Sequence, residues 1–144
     1  MELPSRRIYG LGERTREFPL TEGTWTMWAD ASNAGVYDNG QGGLQQSSVH
    51  PFALVQTAVK GEFMGIYFRN SNAMSPVIRY TDGGKAVLSY ISTGGNIEIY
   101  FMQKASAKEI IASYQNIVGK PSLPPFWALG WHASSPLDTT QAKV

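Results

Sequence analysis

Cysteine is absent from the 144-residue chain, which excludes a disulfide framework and a thiolate nucleophile and leaves the redox compartment unread. An excess of either charge is missing too. Twelve Lys and Arg against eleven Asp and Glu leave a net charge of +1, which gives no electrostatic footprint for nucleic acid or an anionic membrane. Long apolar runs are lacking, so no stretch reaches the roughly 20 residues of a membrane span. The opening "MELPSRRIYG" has no signal-peptide apolar middle. With no Asn-x-Ser/Thr acceptor either, the chain offers no address from which to assign a compartment.

Fifteen glycines and 42% apolar residues, set against only 16% charged residues, describe a turn-rich chain with enough apolar surface for one core. Short strand signals follow one another. "RRIYGLGE" is first, then "TWTMW", whose alternation puts Trp25 and Met27 on one face and Thr24, Thr26 and Trp28 on the other. From about Ala31 to Ser48 the Asn, Asp, Gly and Ser content predicts a long loop. "PFALVQTAVKGEFMGIYFRNS" predicts a hairpin, with strands over 52–59 and 63–69 and "KGE" between them. A second hairpin is expected over 76–80 and 86–92, because the "TDGG" between them accepts positive φ. "NIEIYFMQ" adds a strand with Ile97, Ile99 and Phe101 on one face and Glu98, Tyr100 and Met102 on the other.

One helix is predicted. In "SAKEIIASYQNIVGKP", Ser106 and Glu109 form a capping box, and Ile110, Ile111, Tyr114, Ile117 and Val118 recur at helical spacing. Gly119 and Pro121 stop it. After "PSLPP", residues 126–131 read as a strand apolar on both faces, which needs cover above and below. The expected fold class is mostly β: an incomplete antiparallel β-sandwich, then one α-helix and a terminal strand.

"IYGLGE", "HPFAL" at 50–54, "NSNAM" at 70–74, "STGG" at 92–95 and "GKPSLPPFWALGWH" at 119–132 occur in an order and at spacings that resemble glycoside hydrolase family 31, the α-glucosidase and α-xylosidase group. The resemblance spans roughly residues 7 to 132. It implies that residues 1–104 are the later part of an N-terminal galactose-mutarotase-like β-sandwich. It implies further that 105–125 are a linking helix and Pro-rich segment, and that 126–144 open a catalytic (β/α)8 barrel with its first strand. The family's two catalytic aspartates, nucleophile and acid/base, lie on later barrel strands, so none of the residues here is assigned a catalytic role. A retaining glycosidase needs that pair about 5 Å apart.

The resemblance also implies that a sandwich loop, here "MWADASNAG", carries Asp30 to a sugar pocket, where a carboxylate accepts hydrogen bonds from two hydroxyls. Alternatively, Asp30 caps its own turn. Trp28 is the tryptophan expected to be exposed for stacking on a sugar, with core packing expected for Trp25, Trp127 and Trp131. The chain departs from the family at Ser47 and Ser48, where a Tyr-Gly pair is usual, and at "ASSPLD" after "GWH". His50 and His132 match neither a nucleophilic triad with Ser48 and Asp30 or Asp38 nor a metal site, and are read as structural. "GLG" at 10–12 lacks a dinucleotide fingerprint's third glycine. No cofactor or metal is expected. The expected partners are carbohydrate and the remainder of a glycosidase, or other protein subunits that cover the terminal strand. The alternative function is a non-catalytic structural subunit of a larger assembly; a lone carbohydrate-binding module ranks third.

Overall fold

The computed structural model describes residues 1–14, 18–28 and 48–131. Among the described residues eight strands, all paired antiparallel, form two four-stranded sheets. One sheet is built from β1 (Glu2–Leu3), β7 (Ala86–Ser92), β6 (Met74–Tyr80) and β3 (Gly23–Thr24), in that spatial order. The other runs β2 (Ile8–Gly10), β4 (Phe52–Gln56), β5 (Phe63–Phe68) and β8 (Ile99–Lys104). The two sheets enclose a core that includes Leu3, Ile8, Trp25, Val55, Ile66, Ile78 and Leu88. This is the mostly-β sandwich expected from the alternation.

Both hairpins form as the sequence predicts. β4 and β5 pair from Phe52↔Tyr67 to Gln56↔Phe63, and β6 and β7 from Met74↔Ser92 to Tyr80↔Ala86. The second is joined by a 3₁₀ turn, Asp82–Gly84, in which Gly83 and Gly84 take φ of 70° and 77°, a region costly for any residue with a Cβ. Period-two burial follows along β6, where Met74, Pro76 and Ile78 are buried and their neighbours less so.

The helix α1 (Ala107–Val118) begins at Ser106, whose Oγ accepts a hydrogen bond from the Glu109 N–H at 3.3 Å and donates one to the Glu109 carboxylate at 3.0 Å. It lies across the outer face of β5 and β8, with Ile110 fully buried beneath it. Gly65 on β5 is what lets the helix approach. A Cβ there would stand 2.5 Å from Ile110 Cγ2 and 3.2 Å from Phe52 Cε2. Tyr114 stacks on Phe52 with ring centroids 4.5 Å apart and meets Tyr67 edge-on at 5.1 Å.

Three expectations are corrected, and one, the division of β8 into two faces, holds. "TWTMW" is a strand only at its first residue; beyond it Met27 joins Met74 through a single bridge, its N–H and C=O both paired. β8 divides as the alternation predicts: Ile99 and Phe101 lie on one face, exposed beside Leu88 and Tyr90 of the other sheet, and Met102 lies on the other, covered by α1. Residues 126–131 are not a strand: Phe126–Leu129 form a 3₁₀ turn, closed by the Ala128 N–H on the Pro125 C=O. A strand needs a ladder to hold its backbone groups, and among the described residues none lies beside this segment. Core packing holds for Trp25 alone. Trp127 and Trp131 are 73% and 93% exposed, together with Phe126 and Leu129.

Candidate functional site

A polar cleft opens at one end of the second sheet, where the loop after β5 meets the loop between β7 and β8. Its volume is about 670 Å³. Met27, Val49 and Pro51 give it an apolar side, and Tyr67, Arg69, Asn72, Asn96 and Glu98 a polar one. The local sequence explains how the loops stay together. Asn70 donates to the backbone carbonyls of Gly94 (2.9 Å) and Asn96 (3.2 Å), and its Oδ1 accepts from the N–H (2.8 Å) and the side-chain amide (2.9 Å) of Asn72. A side chain at Gly95 would collide with the carboxamides of Asn72 and Asn70. "NSNAM" and "STGG" are therefore two halves of one clasp, with Asn70 as its pin.

The charged groups of the cleft are tied to each other. Arg69 Nη1 donates to Glu98 Oε1 at 3.1 Å, and the Tyr100 hydroxyl donates to the same oxygen. The Tyr100 hydrogen bond first, and then Arg69, holds the Glu98 carboxyl below the ordinary carboxylate range. The same partners, Tyr100 and Glu98, hold the Arg69 guanidinium above its usual value. Glu98 is thus a fixed anion and an acceptor, unsuited to donate a proton. It is also the one carboxylate lining the cleft among the described residues. Amide, guanidinium and carboxylate edges beside an apolar side can bind a polyhydroxylated ligand.

Of the residues singled out from sequence, Trp28 follows Met27, a lining residue of the cleft, and is 55% exposed. Asp30 lies outside the described residues, as do Asp38, Ser47 and His132. Ser48 and His50 run antiparallel to Gly12 and Glu13: the Glu13 N–H donates to the Ser48 C=O at 2.9 Å and the His50 N–H to the Gly12 C=O at 2.8 Å. Gly10 packs its backbone against Phe52, where a Cβ would overlap the Phe52 carbonyl oxygen, a close backbone approach of the kind that favours glycine in a strand. Among the described residues no cluster of three His, Cys, Asp or Glu is placed to hold a metal. Sequence reasoning missed Arg69, Asn70, Asn72 and Glu98 as site residues; the signal within reach was the run of Asn, Ser and Gly on both loops, which pattern reading treats as turn chemistry.

No protein-family model matches the chain. Curated relatives do. The chain is 33% identical over 137 residues to lysosomal alpha-glucosidase of Bos taurus, covering 90% of this chain and 13% of that protein. It is 28% identical over 132 residues to probable maltase-glucoamylase 2 of Homo sapiens, covering 92% of this chain and 5% of that protein. Among solved structures it superposes on a Family 31 alpha-glucosidase from Bacteroides thetaiotaomicron with a TM-score of 0.69 and 23% identity, over 95% of this chain and 22% of that one. The chain therefore spans a small part of the length of the relatives it matches, and the fold they share with it is the β-sandwich.

Proposed function

We propose, from the premise that the chain corresponds in sequence and in fold to a β-sandwich segment of the family 31 glycoside hydrolases of the α-glucosidase group, that it shapes the rim of a sugar pocket. The observation that carries this reading is the placement of Trp28. The Met27↔Met74 bridge fixes the backbone at the mouth of a polar cleft, and the next residue presents an indole to solvent, as suits stacking on a sugar ring. Asp30, two residues on, accepts hydrogen bonds from sugar hydroxyls. The chemistry of bond cleavage belongs to carboxylates supplied by other polypeptide. The exposed Phe126, Trp127, Leu129 and Trp131 are the surface that such polypeptide covers.

Complementation tests the proposal. Combined in trans with the remaining segments of a family 31 α-glucosidase, the chain restores hydrolysis of an α-glucoside, and Asp30→Ala lowers that activity while leaving assembly intact. Activity that is the same with Asp30→Ala, or a complex that assembles and stays inert, overturns it. The second reading, a non-catalytic structural subunit, draws on the same exposed apolar residues; stoichiometric co-purification with proteins unrelated to glycosidases, and no sugar affinity, would favour it.

A further inference from the structure

Arg14 stands between the two sheets, beside the segments that end at Trp28 and resume at Ser48. On one side, residues 25–27 follow β6. The Trp25 N–H donates to the Pro76 C=O at 2.7 Å, and Met27 and Met74 exchange both of their N–H···O bonds, at 2.7 and 3.0 Å. The Thr26 and Ser75 hydroxyls meet at 3.3 Å. On the other side, residues 11–13 run beside 48–52. The Leu11 N–H donates to the Phe52 C=O at 2.9 Å, and the Glu13 carboxylate accepts from the Ser48 N–H at 3.3 Å. Trp28 is thus rooted beside the sheet of β6, and Ser48 beside the sheet of β4.

The guanidinium of Arg14 joins the two roots. Its Nε donates to the Leu11 C=O at 3.0 Å and its Nη2 to the Thr26 C=O, while its Cζ lies 5.6 Å from the centre of the buried Trp25 ring. A planar fork serves two carbonyls on different segments and still lies over an aromatic ring, which a lysine ammonium cannot reproduce. Arg14 is half-buried, so these charge-assisted bonds are strong and only weakly screened by salt. Trp25 and Met27 are buried, whereas Thr26 is half-buried and Trp28 exposed. The carbonyl that Arg14 holds therefore lies two residues before the indole, with only the core-bound Met27 between them.

We propose that Arg14 is a positioning residue: by tying the Thr26 carbonyl to that of Leu11, it fixes the direction in which Trp28 is presented to a sugar. The inference rests on the sugar-stacking reading of Trp28 and gives Arg14 no contact with the sugar. Affinity should then depend on Arg14 only through Trp28. In calorimetric titration of maltose into the full chain, Arg14→Lys should weaken binding roughly tenfold, the equivalent of one charge-assisted hydrogen bond. It should weaken binding no further when Trp28 is already replaced by Ala. Lysine keeps the charge, so the loss belongs to the fork.

A second readout needs no sugar. In Arg14→Lys the Met27 N–H should exchange roughly tenfold faster, and the Trp28 indole N–H resonance, identified by its loss in Trp28→Phe, should shift. The amides of β5, a central strand of its sheet, should keep their protection. Should Arg14→Lys fail to fold, Arg14→Met, which keeps an apolar stem on Trp25, takes its place. An affinity loss from Arg14→Lys that is equally large with and without the Trp28 ring overturns the proposal, as do an unchanged Met27 exchange rate and an unmoved Trp28 resonance. An unaltered chain that binds no maltose strikes the sugar reading alone, and the exchange and resonance measurements then decide whether Arg14 positions Trp28.

Discussion

Gly65→Ala tests how α1 is held against the sheet. A glycine-to-alanine change in a strand with free space ordinarily stabilises a protein by roughly 0.4–1 kcal/mol, because the unfolded chain loses conformational freedom. At residue 65 the new methyl would stand 2.5 Å from Ile110 Cγ2 and 3.2 Å from Phe52 Cε2. Ile110 is fully buried, so it cannot swing into solvent without lifting the helix. Forced overpacking of this kind costs about 1–3 kcal/mol, which for a domain of this size lowers the melting temperature by roughly 4 °C per kcal/mol. Thermal denaturation followed by circular dichroism should therefore show a fall of about 4–12 °C. Ile110→Ala alone should cost about 2–5 kcal/mol as a cavity mutation, and with the Cγ2 gone, Gly65→Ala should cost less in that background than in the unaltered chain. Equal costs in both backgrounds, or a stabilising Gly65→Ala, would refute the reasoning.

Asn70→Ala removes the two hydrogen bonds to Gly94 and Asn96 and the acceptor for Asn72, and should cost about 1–2 kcal/mol in chemical denaturation, with faster amide exchange at residues 94–96. Tyr90 keeps part of its ring exposed, but its hydroxyl is buried with no hydrogen-bond partner among the described residues, and burial pushes its pKa above the usual tyrosine value of 10.0. The folded chain thus holds a proton that the unfolded chain releases above pH 10.0, so stability is complete below that pH and falls as pH rises beyond it. Tyr90→Phe should raise stability by roughly 1 kcal/mol near neutrality and flatten that alkaline decline, as measured by urea denaturation at several pH values.

The hairpins and the helix were legible because their signals are local. Gly61, Gly83 and Gly84 mark turns at φ of 87°, 70° and 77°, and Ser106 and Glu109 mark a helix start in four residues. What stayed hidden depends on residues distant in sequence. Alternation separates Ile99 and Phe101 from Tyr100 and Met102 but does not say which side a helix will cover, and here Ile110 covers Met102's side. Gly65 reads as a weak spot in a strand until Ile110 is seen above it. The segment from Phe126 to Trp131 has a strand's composition without a strand's neighbours. Trp28 was legible as an exposed tryptophan, whereas the Arg69–Glu98–Tyr100 group of the cleft required the β5–β8 register to bring it together.

Calorimetric titration of maltose into the folded chain tests the proposed sugar-binding role directly. The account predicts saturable heat that Trp28→Ala and Asp30→Asn each diminish without lowering the melting temperature. A cooperatively folded chain that takes up maltose equally well with both residues replaced, or not at all before replacement, would contradict it.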